Sequence, residues 1–396
     1  MVSGLLIAWV PVGAMSSQQS HTTCGEPTLT RARRIARSVR GALRTHYPAF
    51  LLGLPLPRGD LPVFVYHDVD PAQFAGDLEF LRRNRYRTLS LAEFVAAGKR
   101  KAGDRGRGVL LTFDDARLSF HEAALPVLQQ FNAHATLFAP TYWIGAPVRA
   151  ADHERFMSWE QLRESVATGL VDVQSHAHRH SLVFSSERVL EFANPRTLAH
   201  YDIYDWPMRN TVSGEELGRP SLGTPIYAAT PLLSARRRFV EDPDIARACV
   251  EEVSRCGGEA FFARPDWLLT LRRLHASRGT PGHWADETAV RSLVASEFER
   301  SRELFLRHLG YSPRYLAYPW MMGSPWSLEL AQRFGLDAVF GVAVDFRRAR
   351  TPLPVRAFGR LKADWLRLLP GTGRSSFLSI AAGKVAGISR TQHLAH

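Results

Sequence analysis

The sequence is poor in cysteine and has no apolar run long enough to cross a membrane. Only three of its 396 residues are cysteine, which excludes a fold held together by several disulfides. Two of them, Cys249 and Cys256, are seven positions apart. On one helix their Cα atoms would lie about 10 Å apart, too far for a disulfide, so we expect free thiols.

One short apolar stretch, Gly4–Ala14, lies near the N-terminus. It has the length of the apolar region of a secretory signal, and Val12–Ala14 fits a cleavage site, but no Lys or Arg precedes it. Two interpretations stay open: a signal peptide, or a start codon assigned too early, with Met15 as the true initiator. We expect a cytoplasmic or membrane-peripheral protein, or an exported one if the signal functions.

Positive charge is in excess. The formal net charge of +12 favours an anionic partner such as an acidic or phosphate-linked glycan or an anionic membrane surface. The arginines are scattered, and no basic helix is interleaved with stacking aromatics, so we expect no nucleic-acid partner. Residues 29–52 predict a basic amphipathic helix, which either lies on anionic lipid, with Tyr47–Leu52 as an apolar anchor, or packs on the exterior of the fold.

Strands and helices alternate after residue 60, which predicts an α/β fold with a parallel sheet. We expect a distorted barrel of about seven strand–helix units. The predicted strands are Val63–Val69, Arg87–Leu89, Val109–Phe113, Ala135–Ala139, Val171–Gln174, Tyr315–Pro319, Ala338–Val344 and Arg356–Leu361. The predicted helices are Phe74–Arg85, Leu91–Lys99, Ser119–Phe131, Trp159–Thr168, Pro243–Arg255 and Thr288–Leu309.

Chemistry-bearing residues follow two of these strands. Asp114 and Asp115 end an apolar run, and His176 and His180 follow the strand Val171–Gln174. Two imidazoles and one carboxylate are an established ligand set for catalytic zinc. Neighbouring side chains on a strand point to opposite faces, so one aspartate can coordinate while the other accepts a proton. Two alternatives stay open: an ordinary helix N-cap at the Asp pair, and His178 as a ligand in place of either histidine.

Functional sites of parallel barrels lie at the C-terminal ends of the strands. Six candidate residues from four separate strands fall there: His67, Asp114, Asp115, His176, His180 and Trp320. This agreement predicts one shared site at the barrel mouth.

The same residues carry a family resemblance. Thr112–Asp115, the pair His176 and His180, and Ala317–Trp320 resemble the polysaccharide deacetylases of carbohydrate esterase family 4, which have the NodB-homology fold. Val65–Asp68 resembles the subgroup that removes N-acetyl groups from poly-N-acetylglucosamine. The resemblance covers residues 61–182 and 287–362.

The resemblance implies a metal-dependent hydrolysis of N-acetyl groups. Asp115, His176 and His180 would hold a divalent metal, Zn²⁺ in the first place, with Co²⁺ and Ni²⁺ as alternatives. Asp114 would be the general base and His67 the general acid. The backbone N–H of Trp320 would stabilise the oxyanion.

Further residues are assigned on the same basis. Tyr66, Tyr318, Pro319 and Trp320 would bind substrate, although the aromatic ones could equally fill the barrel mouth. Many relatives place an arginine that orients the base four residues before the proline that corresponds to Pro319. Arg314 is one position too early for this, which leaves Arg360, at the end of a late strand, as the candidate.

The resulting division of the chain has four parts: an N-terminal tail and basic segment (1–60), a deacetylase domain (61–362), an insertion within it (183–286) and a C-terminal tail (363–396). The insertion starts just after His180 and should emerge at the barrel mouth. Its aromatic residues either stack on sugars or form its own core: Tyr201, Tyr204, Trp206 and Tyr227.

The predicted function is removal of an N-acetyl group from an amino sugar in a polysaccharide or a lipid-linked glycan, with a formyl group as an alternative. A second hypothesis is a non-catalytic relative that binds a glycan or a membrane surface. The retention of Asp114, Asp115, His176 and His180 together favours the enzyme.

Overall fold

The computed structural model describes Phe50 and residues 61–97, 107–145, 156–341 and 355–380. The predicted signal and basic helix lie outside the described residues, apart from Phe50. The strands are β1 (Val63–Tyr66), β2 (Arg87–Thr88), β3 (Gly108–Phe113), β4 (Ala135–Ala139), β5 (Val171–Ser175), β6 (Leu182–Phe192), β7 (Arg209–Thr211), β8 (Gly214–Glu216), β9 (Pro225–Pro231), β10 (Phe239–Glu241), β11 (Gly282–Trp284), β12 (Tyr315–Ala317), β13 (Ala338–Phe340), β14 (Arg356–Phe358) and β15 (Leu361–Lys362).

The α-helices are α1 (Pro71–Arg83), α2 (Leu91–Ala97), α3 (Leu125–Phe131), α4 (Trp159–Ala167), α5 (Pro195–His200), α6 (Pro243–Arg255), α7 (Trp267–Ser277), α8 (Glu287–Leu309) and α9 (Pro325–Arg333). Local sequence explains several boundaries. Ser158 caps α4 with a reciprocal capping box to Gln161, as the sequence predicts. The predicted helix Ser119–Phe131 begins instead with a π-helical turn, Phe120–Ala124, before α3. In the part of the chain that the structure describes, no helix has the length and apolar composition of a membrane span.

The main sheet is parallel and curls back on itself. Its strands follow the order β14-β13-β12-β5-β4-β3-β1-β15, with β2 paired to β3. The predicted strand Arg356–Leu361 is broken into two, so that its first half pairs with β13 and its second half with β1. Because only Gly359 and Arg360 separate these two halves, one short turn joins the two edges of the sheet. The predicted distorted α/β barrel is confirmed, with the break in this last strand as the difference.

Alternate residues of the strands pack on the two faces of the sheet, as the period of two requires. Val63 and Leu110 cluster with Phe138 inside the barrel. Phe64 and Phe113 belong to the layer outside it, where helix α1 adds side chains such as Phe74. The inner face of the sheet therefore continues into the residues that follow the strands at the barrel mouth.

The packed domain extends beyond the predicted boundary at residue 362. Residues of the predicted C-terminal tail, Leu366 and Leu369, are fully buried in the outer core, and Asn84 hydrogen-bonds to the backbone of Thr372. Phe50, part of the predicted membrane anchor, is buried in the same core, so it is not available to lipid. The segment that follows residue 362 packs against helix α1, where Arg367 pairs with Asp77 at 2.8 Å.

The insertion breaks the strand–helix alternation and forms small antiparallel sheets: β6 with β9, β7 with β8, and β10 with β11. It has a core of its own, in which α6 and α7 pack on β6. Trp206 and Tyr227 are buried in two smaller clusters of the insertion, and the Tyr227 hydroxyl pairs with His275 at 2.8 Å. For these two aromatic residues, the interpretation as core is confirmed.

Candidate metal centre and active site

The Asp pair lies where strand β3 turns sharply. The Asp114 N–H donates to the Tyr66 carbonyl (3.0 Å), which continues the parallel ladder by one residue. Asp115 and Ala116 then adopt left-handed conformations, with φ of 73° and 48°. This turn ends the strand, so Asp114 and Asp115 are not held on opposite faces and both carboxylates reach the barrel mouth.

The two histidines sit on an irregular loop that a buried carboxylate holds in place. Glu297 of α8, 1% exposed, accepts hydrogen bonds from the backbone N–H groups of His178 (3.1 Å) and Arg179 (2.7 Å). It also pairs with the Arg179 guanidinium at 2.6 Å. These contacts order the loop between His176 and His180. Sequence reasoning missed Glu297, because a glutamate on a long helix carries no signal of such a role.

Asp115, His176 and His180 form a buried group, here called the Asp-His-His cluster. Asp115 Oδ1 lies 3.6 Å from His176 Nε2 and 3.4 Å from His180 Nε2. Within the described residues, this buried oxygen has no hydrogen-bond partner. Ligands bound tetrahedrally at about 2.0–2.1 Å are separated by about 3.4 Å. The donor atoms therefore fit one metal ion.

The protonation of the cluster also suits a metal. His176 Nδ1 lies 2.8 Å from the Ala317 carbonyl, which can only accept, so Nδ1 carries the proton and Nε2 keeps its lone pair. Burial lowers the pKa of His176, and it lowers the pKa of His180 well below its ordinary value. Both imidazoles are therefore neutral at pH 7, as metal ligands must be.

Asp114 has the opposite environment to Asp115. Although burial alone would raise its pKa, the charge and hydrogen bonds of Arg360 lower the pKa of Asp114 to about 2. Arg360 binds both carboxylate oxygens, at 2.6 and 2.7 Å, and is itself 1% exposed. Burial raises the pKa of Asp115, which lacks such a partner. Arg360, on the turn that joins the sheet edges, thus fixes Asp114 as an anion.

His67 follows β1 at the mouth and is exposed, so it is not an ordinary buried histidine. Burial raises the pKa of Asp115, whereas a positive charge on His67 acts in the opposite direction and lowers it. His67 is therefore both close to the Asp-His-His cluster and open to solvent.

Two predicted substrate residues face away from the mouth. Tyr66 stacks on Phe113 in the outer core, and its hydroxyl donates to Asp77 of α1 (3.2 Å). Tyr318 is fully buried, and its hydroxyl accepts a hydrogen bond from Ser327 of α9 (3.2 Å). Both rings are buried on the outer side of the sheet and are not exposed at the mouth, in disagreement with the prediction that they contact substrate.

Trp320 is partly exposed at the mouth, and Pro319 beside it is buried. Trp320 has a left-handed backbone (φ 49°), and its ring centroid lies 4.3 Å from that of His180. Tyr204 of the insertion packs on the same imidazole, with centroids 3.9 Å apart. Of the insertion's aromatic residues, Tyr204 thus reaches the Asp-His-His cluster.

Arg117 is a second residue that sequence reasoning missed. It is 7% exposed and pairs with both carboxylate oxygens of Asp202 in the insertion, at 2.8 and 2.7 Å. Its Nε lies 3.8 Å from Asp115 Oδ2. No local pattern links positions 117 and 202, which are 85 residues apart.

Fold and site together define an α/β-barrel protein with a candidate metal centre at the C-terminal ends of its strands. Residues 101–201 match the family model described as polysaccharide deacetylase. This part of the chain is thus similar to polysaccharide deacetylases, which confirms the resemblance seen in its motifs. The matched residues contain the whole Asp-His-His cluster.

Relatives from two bacteria are named poly-β-1,6-N-acetyl-D-glucosamine N-deacetylase. The relative from Escherichia coli is 31% identical over 105 residues, which are 24% of this chain and 16% of the relative. The relative from Staphylococcus epidermidis is 31% identical over 112 residues, or 28% of this chain and 38% of the relative. The matches thus span well under two thirds of the length of these relatives.

Solved structures with a similar chain path include a de-N-acetylase from Aggregatibacter actinomycetemcomitans, with a TM-score of 0.46 and 16% identity over 81% of this chain and 99% of that chain. Another is IcaB from Ammonifex degensii, with a TM-score of 0.44 and 21% identity over 81% of this chain and 95% of that chain.

Proposed function

We propose that this protein is a metal-dependent hydrolase that removes N-acetyl groups from an amino sugar in a polysaccharide or a lipid-linked glycan. The observation that carries the proposal is the Asp-His-His cluster, with donor atoms at metal-ligand spacing, beside an Asp114 that Arg360 keeps ionised. The names of the relatives support an N-acetylated glycan as the substrate class.

The residues of the cluster would hold one divalent ion, for which we propose Zn²⁺, with Co²⁺ and Ni²⁺ as substitutes. When bound, such an ion polarises the amide carbonyl and lowers the pKa of a water molecule. The neutral state of His176 and His180 and the unpartnered Oδ1 of Asp115 support this assignment.

Asp114 is the proposed general base. It lies beside the cluster, with Oδ2 3.6 Å from His176 Nε2, and can accept a proton from the attacking water. Arg360 is the proposed orienting residue, because its fork occupies both carboxylate oxygens in a fixed plane. The water oxygen would then add to the acetyl carbon.

His67 is the proposed general acid. When the C–N bond of the tetrahedral intermediate breaks, the leaving amine needs a proton, and the imidazolium of His67 can supply it. The products are acetate and the free amino sugar. His67 suits this role because it is exposed, so solvent can restore its proton.

Trp320 would take part through its backbone N–H, which we propose as an oxyanion donor, and through its partly exposed ring as one wall of the sugar site. Its left-handed conformation, next to the rigid Pro319, turns this segment sharply at the mouth. The net charge of +12 favours a glycan that carries phosphate or carboxylate groups or lies near anionic lipid.

The test is acetate release by the full-length protein, stripped of metal and then reloaded with Zn²⁺, Co²⁺ or Ni²⁺. The probes are β-1,6- and β-1,4-linked N-acetylglucosamine oligomers and a lipid-linked N-acetylated amino sugar. We expect release that stops on chelation and is absent in Asp114→Asn. His283→Ala, which removes an exposed histidine of β11, is the matched control and should retain activity. Substrate binding without release under every metal would favour the non-catalytic relative and overturn the proposal.

A further inference from the structure

Arg117 lies between the barrel and the insertion, next to a carboxylate of the Asp-His-His cluster. Its guanidinium makes two short hydrogen bonds to Asp202, and it packs over the rings of Phe156 (5.2 Å) and Tyr204 (5.0 Å). Arg117 is almost fully buried. A buried cation of this kind is stable only with a fixed anionic partner, which here comes from the insertion.

Asp202 links this ion pair to a proposed metal ligand. Its Oδ1 also accepts a hydrogen bond from the backbone N–H of Tyr204 (3.1 Å), at the start of the short 3₁₀ helix Ile203–Asp205. The Tyr204 ring in turn packs on His180, with centroids 3.9 Å apart. One carboxylate therefore sets the position of Arg117 and of the ring that covers His180.

Asp115 is the other group that Arg117 approaches. Its Oδ2 faces the Arg117 Nε at 3.8 Å, while its Oδ1 points to the two imidazoles. At this distance Arg117 orients the carboxylate without a direct hydrogen bond. If Asp202 lost its charge, Arg117 would be free to pair directly with Asp115 and to compete with a metal ion for it.

We propose that Arg117 and Asp202 form a positioning pair through which the insertion keeps Asp115 and His180 in a geometry that binds metal. The insertion thus supports the metal centre. This inference rests on the proposed function, because it requires that the cluster holds a metal ion. Mutation of residues that hydrogen-bond to or orient metal ligands typically lowers metal affinity by roughly ten- to a hundredfold.

The test is a titration of the full-length metal-free protein with Co²⁺, followed by visible absorbance, together with a thermal melt. Asp202→Asn keeps the size of the side chain and its capping oxygen but removes the charge. We expect Co²⁺ to bind roughly ten- to a hundredfold more weakly. The matched control is Glu215→Gln, which removes the partner of buried Arg238 within the same insertion and should bind Co²⁺ like the wild type.

A double variant separates positioning from mere support of the fold. Arg117→Gln combined with Asp202→Asn removes the competing cation and leaves two amides that can pair. We expect it to bind Co²⁺ more tightly than Asp202→Asn alone, which a loss of structure would not produce. Two results would overturn the positioning pair but not the proposed function. One is equal Co²⁺ affinity in the wild type and Asp202→Asn, and the other is a double variant that binds Co²⁺ no more tightly than Asp202→Asn. Wild-type protein that does not bind Co²⁺ at all overturns the proposed function, and this inference with it.

Discussion

The barrel and the insertion contribute to the mouth in different ways. The barrel supplies donor atoms: three proposed ligands and the Asp114–Arg360 pair, all at strand ends. The insertion supplies neighbours of those donors, namely Asp202 behind Arg117 and Tyr204 against His180. The difference shows that donor atoms follow from the topology of a parallel sheet, whereas their support depends on contacts far apart in sequence.

The largest effect is expected from the barrel's own donors. Asp115→Asn replaces a charged ligand with a neutral amide, so we expect Co²⁺ affinity to fall by more than about 100-fold and acetate release to be lost. The measurement is Co²⁺ titration by calorimetry, with Asp244→Asn on the exposed start of α6 as the control. Unchanged affinity in Asp115→Asn would remove this residue from the metal centre.

Arg360→Met should have the next largest effect. It leaves Asp114 buried without its cation, which costs about 3–5 kcal/mol of unfolding free energy. We expect kcat to fall while Co²⁺ affinity changes little, because Arg360 contacts the base and not the cluster. Arg360→Lys, which keeps the charge but loses the fork, should lie between the two. Urea unfolding and steady-state kinetics measure both effects, and a normal kcat in Arg360→Met would contradict the orienting role.

A smaller effect is expected from Glu297→Gln, which weakens the support of the histidine loop. The amide keeps an acceptor for the N–H groups of His178 and Arg179 but loses the ion pair with the Arg179 guanidinium. We expect Co²⁺ affinity to fall about tenfold. The exposed Glu299, two positions along the same helix, gives the control Glu299→Gln. Equal Co²⁺ affinity in the two variants would show that the loop holds its geometry without Glu297.

The smallest effect belongs to the insertion alone and concerns pH. Burial raises the pKa of Glu241 to about 7, so the folded state favours the protonated carboxyl. The stability that this provides is complete below the ordinary pKa and is lost as pH rises through about 7. Glu241→Gln stays neutral, so at pH 8 it should be more stable than the wild type by roughly 1–3 kcal/mol, and the advantage should vanish near pH 4. Unfolding curves from pH 4 to 8 measure this, and a constant difference between the proteins would contradict it.

Much of the barrel follows from sequence because each buried strand is a short apolar run with a helix behind it. Strand β4 and helix α6 have the predicted bounds. The predicted last strand was too long, since nothing local shows that the chain leaves one sheet edge at Gly359 and joins the other. The insertion's small sheets depend on antiparallel pairing between distant segments, which strand patterns do not specify.

The candidate site likewise contains residues that could be predicted from the sequence and residues that could not. Asp114, Asp115, His176 and His180 could be found because they follow buried strands and match a motif. Tyr66 and Tyr318 were misplaced because a motif position does not tell which face of the sheet a ring occupies. In the structure, Tyr66 of β1 pairs with Phe113 of β3, and paired residues of neighbouring strands lie on the same face, which here is the outer one.

Residues that support the proposed ligands without binding metal could not be identified from the sequence. Arg117 and Glu297 contact partners 85 and more than 100 residues away. An isolated arginine or glutamate on a charged surface looks the same in sequence as one that is buried. Their roles appear only when the burial and the partner are both known.

The central claim is that Asp115, His176 and His180 hold one divalent ion beside an ionised Asp114. The most direct measurement is an anomalous difference map at the zinc edge from crystals grown with Zn²⁺. We predict a single peak within about 2.0–2.2 Å of Asp115 Oδ1 and of Nε2 of both histidines. A map with no peak there, or with zinc bound by other residues, would contradict the account.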